Sequence, residues 1–131
     1  MDYYIYWYPV EHPDEPGCFK LGYSKRPKSR MGSHTRKLQN GYHCGDKALL
    51  GMIAVGPSRQ RASYIEGIIG DWLVERGFPL AGLEIEATRT EEKEREQRTG
   101  RKRTSKEIFR RNGRAWHTID ATVRQHVESL L

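Results

Sequence analysis

A phenol, an ammonium, a guanidinium and a carboxylate follow one another along this chain at Tyr6, Lys20, Arg30 and Glu66. Together they supply what hydrolysis of a phosphodiester requires. A tyrosine with its ordinary pKa of about 10 is a poor base at neutral pH, and a neighbouring cation corrects this by favouring the phenolate. Lys20 is the cation placed to act on Tyr6, which can then take a proton from water. Arg30 offers a planar fork that matches two phosphate oxygens. Glu66 falls beside Ala62 at the margin of an apolar helical stripe, where a carboxylate is costly unless it is paired or bound to a cation. One Mg²⁺, or Mn²⁺, held by that carboxylate, waters and a phosphate oxygen would offset the cost and steady charge on the leaving oxygen. This chemistry calls for no small-molecule organic cofactor.

The elements that must position these groups are legible in outline. Aromatic runs at 3–8 and 18–23, around Pro9, Pro13, Pro16 and Gly17, predict a β-hairpin with a loop of several residues. Strand alternation puts Tyr4, Tyr6 and Tyr8 on one face and Tyr3, Ile5 and Trp7 on the other. Aligning the apolar faces sets Ile5 opposite Leu21, Tyr6 opposite Lys20 and Tyr4 opposite Gly22. Pro27, with Ser24 as a cap, starts a helix bearing Lys28, Arg30 and Arg36 towards Leu38, ended by Asn40-Gly41. The apolar run from Ala48 to Val55 reads as a strand covered on both faces. Ser58 caps a helix to about Arg76, with Ala62, Ile65, Ile68, Ile69, Trp72 and Leu73 inward. Residues 88–107 contain no aliphatic or aromatic side chain and read as a polar, charged insertion that cannot bury itself. Beyond it, Ile108-Phe109 restores order, 115–119 reads as a short strand, and Asp120 caps a last helix with Val123, Val127 and Leu130 inward.

Composition bounds the rest. At 131 residues with 36% hydrophobic content the chain fits one domain with one modest core, spanning 1–131. The formal charge of +6 favours a polyanionic partner. Arg26, Lys28 and Arg36 are the candidate phosphate contacts beside Arg30, and Arg101-Lys102-Arg103 forms a cluster that would touch phosphates without reading sequence, since no groove-filling helix with Asn or Gln adjoins it. Two cysteines, Cys18 and Cys44, are too few for a disulfide scaffold, and they share no zinc-ligand spacing with His34 or His43. No apolar stretch reaches the length of a membrane span and no signal peptide opens the chain, so the expected address is the cytoplasm, without membrane association.

The order of these residues resembles the GIY-YIG nuclease superfamily. Tyr4-Ile5-Tyr6 is similar to its first signature. Lys20-Leu21-Gly22 is similar to the second as found in the phage-rich branch that carries lysine–isoleucine–glycine. Tyr23 to Arg30 resembles the segment that ends on the family's arginine. The resemblance covers residues 3–78. It implies a small α+β domain, a three-stranded antiparallel sheet flanked by helices, and metal-dependent hydrolysis of DNA by in-line attack of water. By it Tyr6 is the general base or the residue that orients the water, Lys20 its helper, Arg30 the phosphate clamp and Glu66 the sole protein ligand of the metal, with Trp116 as the residue that closes the domain. It also implies a phage or mobile-element character, hence a host cytoplasm. The chain departs from the pattern at Tyr4, where the family has glycine, at Gly70, where relatives often have histidine, and at Ala115, which replaces an acidic residue. Two other readings follow from the same residues. One is a noncatalytic nucleic-acid-binding module on this scaffold; the other is a phage factor that contacts a host protein through its aromatic hairpin.

Overall fold

The computed structural model describes residues 1–13, 15–37, 43–81 and 108–131, with the backbone alone at 15–16 and 33–37. The predicted insertion at 88–107, Asn40-Gly41, Arg101, Lys102, Arg103 and the side chains of His34 and Arg36 lie outside the described residues.

The chain folds as α+β, an antiparallel sheet with helices on both faces. The hairpin strands are β1 (Tyr3–His12) and β2 (Glu15–Ser24), both longer than the aromatic runs alone predict. Pro9 is tolerated inside β1 because its carbonyl accepts from Gly45 N–H at 2.8 Å on the side away from β2. Its nitrogen therefore faces the gap between the two short partners of that edge, where no ladder bond is lost. Those partners are β3 (His43–Cys44) and β4 (Gly51–Gly56), both paired with β1. A last strand, β5 (Ile108–Arg110), pairs with β2 from Cys18 to Lys20. The expected three-stranded sheet is thus the long core β4-β1-β2, extended by two short strands.

β4 corrects the expectation of a strand covered on both faces. Residues 47–49 form a 3₁₀ turn, capped by the Asp46 carboxylate accepting from Ala48 N–H at 2.9 Å. Only the remainder of the apolar run pairs, and it does so at an edge with Met52 and Ala54 exposed.

The hairpin register differs from the predicted one by two residues. Tyr6 pairs with Gly22, Ile5 with Tyr23, Trp7 with Leu21 and Tyr8 with Lys20. Parity is kept, so each side chain stays on its predicted face while its partner changes. The cause is steric. A Cβ at Gly22 would stand 2.5 Å from Tyr6 Cζ, and one at Gly51 would stand 2.6 Å from Trp7 Cζ2. Each ring needs a glycine beside it, and the sheet slides until it has one.

Helix α1 (Pro27–Lys37) begins at its proline, as expected, after the Ser24 hydroxyl accepts from Arg26 N–H at 3.0 Å. Helix α2 (Arg59–Glu75) is capped by Ser58, whose hydroxyl accepts from Arg61 N–H at 3.2 Å. It buries Ala62, Ile65, Ile69 and Leu73, with Ile68 and Trp72 half-buried. Helix α3 (Trp116–Ser129) overturns the strand expected at 115–119. Ile119, Val123 and Val127 recur at helical spacing and are all buried, so the helical period continues back through Trp116. Asp120 is consequently not a cap. It lies inside the helix and accepts a hydrogen bond from Trp7 Nε1 at 2.8 Å.

Two cores result. Ile5, Trp7, Phe19 and Leu21 pack with α2, α3 and Phe109 on one face. Tyr6, Tyr8, Val10 and Cys18 pack with Met31 of α1 and Ala81 on the other. Among the described residues no helix is long and apolar enough to cross a membrane.

Candidate functional site

Tyr6 and Lys20 share the face covered by α1. Tyr6 is 2% exposed, its ring parallel to that of Tyr8 with centroids 6.0 Å apart. Lys20 is 7% exposed and stands opposite Tyr8, one pair along from Tyr6, so the expected side-by-side pairing becomes a diagonal one. The Tyr6 ring crosses Gly22 and carries its hydroxyl over β2, the nearest atom of that ring to the absent Cβ.

Arg30 is exposed on α1, beside buried Met31 of the tyrosine face. Its N–H closes the first turn on Arg26 carbonyl at 3.0 Å, which fixes the backbone and leaves the guanidinium in solvent. Arg26 and Lys28 are exposed on the same turn.

Glu66 rises from α2, on the opposite side of the sheet. It is half-buried, with Oε2 shielded from solvent. At 3.6 residues per turn Arg59, Glu66 and Gly70 fall within about 40° of one another on the helix. Tyr23 of β2 acts on the first of them, raising its pKa, and a Cβ at the last would sit 3.6 Å from Phe109 of β5. Glu66 therefore lies on the flank of α2 that runs along β2 towards β5. Because β5 pairs with β2 only as far as Lys20, residues 21–24 keep an edge open among the described residues. Tyr6 and Glu66 thus belong to elements on opposite faces of the sheet, and the structure does not bring them to one face.

No cluster of three or more His, Cys, Asp or Glu able to hold a metal exists among the described residues. A hydrated Mg²⁺ can rest on one carboxylate with waters. Cys18 and Cys44 form no disulfide, and Cys44 Sγ donates to the Met31 carbonyl at 3.7 Å. His117 is exposed on the first turn of α3.

Sequence reasoning missed a neighbouring group of residues. The Tyr23 phenol, first among its causes, holds the Arg59 guanidinium pKa above the ordinary value. Tyr3 and Tyr23 meet with ring centroids 6.2 Å apart, and Lys25 Nζ lies 5.2 Å from the Tyr3 centroid. An arginine directly after a helix cap was the available signal, although nothing local announces its partner on β2.

A second concavity, of about 390 Å³, lies at the other end of α2 and is lined by Trp72, Arg76, Thr122 and His126 among others. Trp72 and His126 stack at 3.9 Å, and Arg76 lies 5.0 Å from the indole centroid. Burial, with the Arg76 charge second, lowers the His126 pKa.

No family model, curated protein or solved structure matches this chain.

Proposed function

We propose that the protein is a metal-dependent endonuclease that hydrolyses DNA, with its site at the open edge of β2. The observation that carries this reading is the Tyr6 ring laid across Gly22, its hydroxyl over β2. Tyr6 takes the proton from the attacking water, and Lys20, on the same face, favours the phenolate that can accept it. Arg30, exposed with Arg26 and Lys28 on the first turns of α1, binds the phosphate that is cut. Glu66 holds Mg²⁺ or Mn²⁺. Bound there, the ion would stabilise charge on the leaving oxygen. The order of these residues, similar to that of GIY-YIG nucleases, supports the same assignment.

The test is cleavage of plasmid and branched DNA with Mg²⁺ or Mn²⁺. Tyr6→Phe should lower the rate by a factor on the order of 10² to 10⁴, the usual worth of a positioned proton acceptor, and Glu66→Ala should lower it by removing the ligand of the metal. Equal cutting by wild type and Glu66→Ala removes the assignment.

The burial of Tyr6 and Lys20 favours a second reading, since a proton acceptor must meet water and these groups are only 2% and 7% exposed. On it the scaffold binds nucleic acid through Arg26, Lys28, Arg36 and residues 88–112 without cutting. It predicts salt-sensitive binding that persists or strengthens in Glu66→Ala, because a negative charge leaves the surface.

A further inference from the structure

The strand registers gather the starts of two helices at one end of the sheet. Tyr4 pairs with Ser24 on one side and with Ala54 on the other, and Tyr3 pairs with Gly56, so β1 begins where β2 and β4 end. Helices α1 and α2 each open three residues after those strands close, at Pro27 and Arg59. A Cβ at Gly70 would sit 3.6 Å from Phe109, and Phe109 pairs with Phe19, so α2 runs from this end of β2 towards the other. Its first turns therefore stand at the same end as the first turn of α1, across the sheet from it.

The two segments that meet there carry charge of one sign. Residues 23–30 contain Lys25, Arg26, Lys28 and Arg30, residues 54–64 contain Arg59 and Arg61, and neither segment contains Asp or Glu. All of these cations are exposed, and Lys25 is drawn over the start of β1, its Nζ 5.2 Å from the Tyr3 centroid. Tyr64 adds an aromatic face to the charge. It is 71% exposed, whereas Tyr3, Tyr4, Tyr6, Tyr8 and Tyr23 are buried or half-buried. The buried stripe of α2, formed by Ala62, Ile65, Ile69 and Leu73, centres about 145° from Tyr64 around the helix axis, so the ring stands on the solvent side. Arg61 precedes it by three residues and neighbours it on the helix surface, and a helical side chain leans back towards the amino end, here towards the cations. On the other side Gly67 leaves the ring uncovered, since a Cβ there would meet nothing within 4 Å. A ring exposed by itself needs no explanation. One set beside an arginine at a cationic end of the molecule supplies both halves of single-strand recognition, charge for the backbone and a π face for a base.

We propose that the end of the sheet where α1 and α2 begin binds an unpaired stretch of DNA, with Lys25, Arg26 and Arg61 on its phosphates and Tyr64 stacked on a base. The inference rests on the reading that the partner is DNA, and it deepens that reading by naming the form of DNA this surface takes. A duplex can use the cations, but its base faces are already buried in its own stack. The ring is therefore of use only to a single strand, a branch or an unpaired end. Backbone contacts and stacking both ignore base identity, so the surface carries no sequence preference.

Fluorescence anisotropy without divalent metal, on a labelled oligo-dT strand and on a duplex of the same length, tests this directly. Tyr64→Ala, at an exposed helix position where alanine is the best helix former, should weaken strand binding on the order of 10-fold to 100-fold and duplex binding by less than about twofold. Tyr64→Phe keeps the π face and should bind the strand as wild type does. Arg61→Gln should lower the slope of log K against log salt for the strand by about 0.7. Arg114→Gln is the control: this exposed arginine follows the turn whose Arg111 N–H bonds the Gly17 carbonyl, at the far end of β2, and its loss should leave the slope closer to wild type. Unchanged strand binding in Tyr64→Ala, equal losses for strand and duplex, or a wild type that binds the duplex alone would each overturn the proposal and leave the DNA reading standing. Absence of binding to both forms would overturn both.

Discussion

Tyr6 and Trp7 are consecutive residues of β1, and each lays its ring across a glycine of an adjoining strand, Gly22 of β2 for one and Gly51 of β4 for the other. Their surroundings differ. Trp7 enters the larger core, its Nε1 donates to Asp120 of α3 at 2.8 Å, and Arg124 lies 5.2 Å from its centroid. It locks the last helix to the sheet. Tyr6 enters a smaller core of tyrosines, a thiol, a methionine and the stem of Lys20. A ring over a glycine is therefore a packing solution used on both faces. The difference lies in what is buried with it, because an ammonium 7% exposed is kept on one face only. Burying such a group is expensive where hydrophobic residues would serve, which is the physical reason for looking to the tyrosine face for chemistry.

The largest test of this contrast is truncation against isosteric change. Trp7→Ala should cost about 3–5 kcal/mol of stability, through the cavity and the loss of the indole donor to Asp120, whose Oδ1 keeps Arg124 at 3.4 Å. Tyr6→Phe should cost only about 0.5–1.5 kcal/mol, the net worth of one hydroxyl contact. Urea unfolding of both variants decides it. If Tyr6→Phe destabilises as much as Trp7→Ala, the phenol is structural and the two faces are alike. The glycines sharpen the comparison at intermediate size. Gly22→Ala and Gly51→Ala should each cost about 1–3 kcal/mol by forcing the ring aside. Only Gly22→Ala should also depress DNA cleavage, since it displaces the Tyr6 hydroxyl from the β2 edge. Matched losses of activity in the two variants, measured where both are folded, would erase the distinction.

The smallest effect concerns pH and belongs to the α2–α3 layer. His126 is held below its ordinary value of 6.5 by burial and by Arg76. The unfolded chain takes up a proton there before the folded one does. The stabilisation is therefore complete above about pH 6.5 and is lost as pH falls from there through the folded-state value. Thermal melts between pH 5 and 8 should show a shallow decline on the acid side, flattened in His126→Gln. An undiminished decline in that variant would assign it to other groups.

Much of the fold could be read along the chain. Side-chain period gave the faces of β1 and the buried stripe of α2, and Ser58 and Pro27 marked helix starts through their own backbone chemistry. The strand expected at 115–119 failed because five residues are too short a window to separate strand from helix when the next inward position, Val123, lies beyond it. The register failed for a related reason. Alternation fixes which face a residue takes, whereas the choice among registers of equal parity is made by ring volume against a strand, and no local pattern encodes that.

For the candidate site the division is similar. Residue types and order alone singled out Tyr6, Lys20, Arg30 and Glu66, because protonation chemistry and charge belong to the side chain itself. Only the tertiary structure decided that Tyr6 and Lys20 lie diagonally and buried, and that Glu66 stands on a helix on the other side of the sheet. Those facts depend on distances between segments far apart in the chain, which packing sets and sequence position does not.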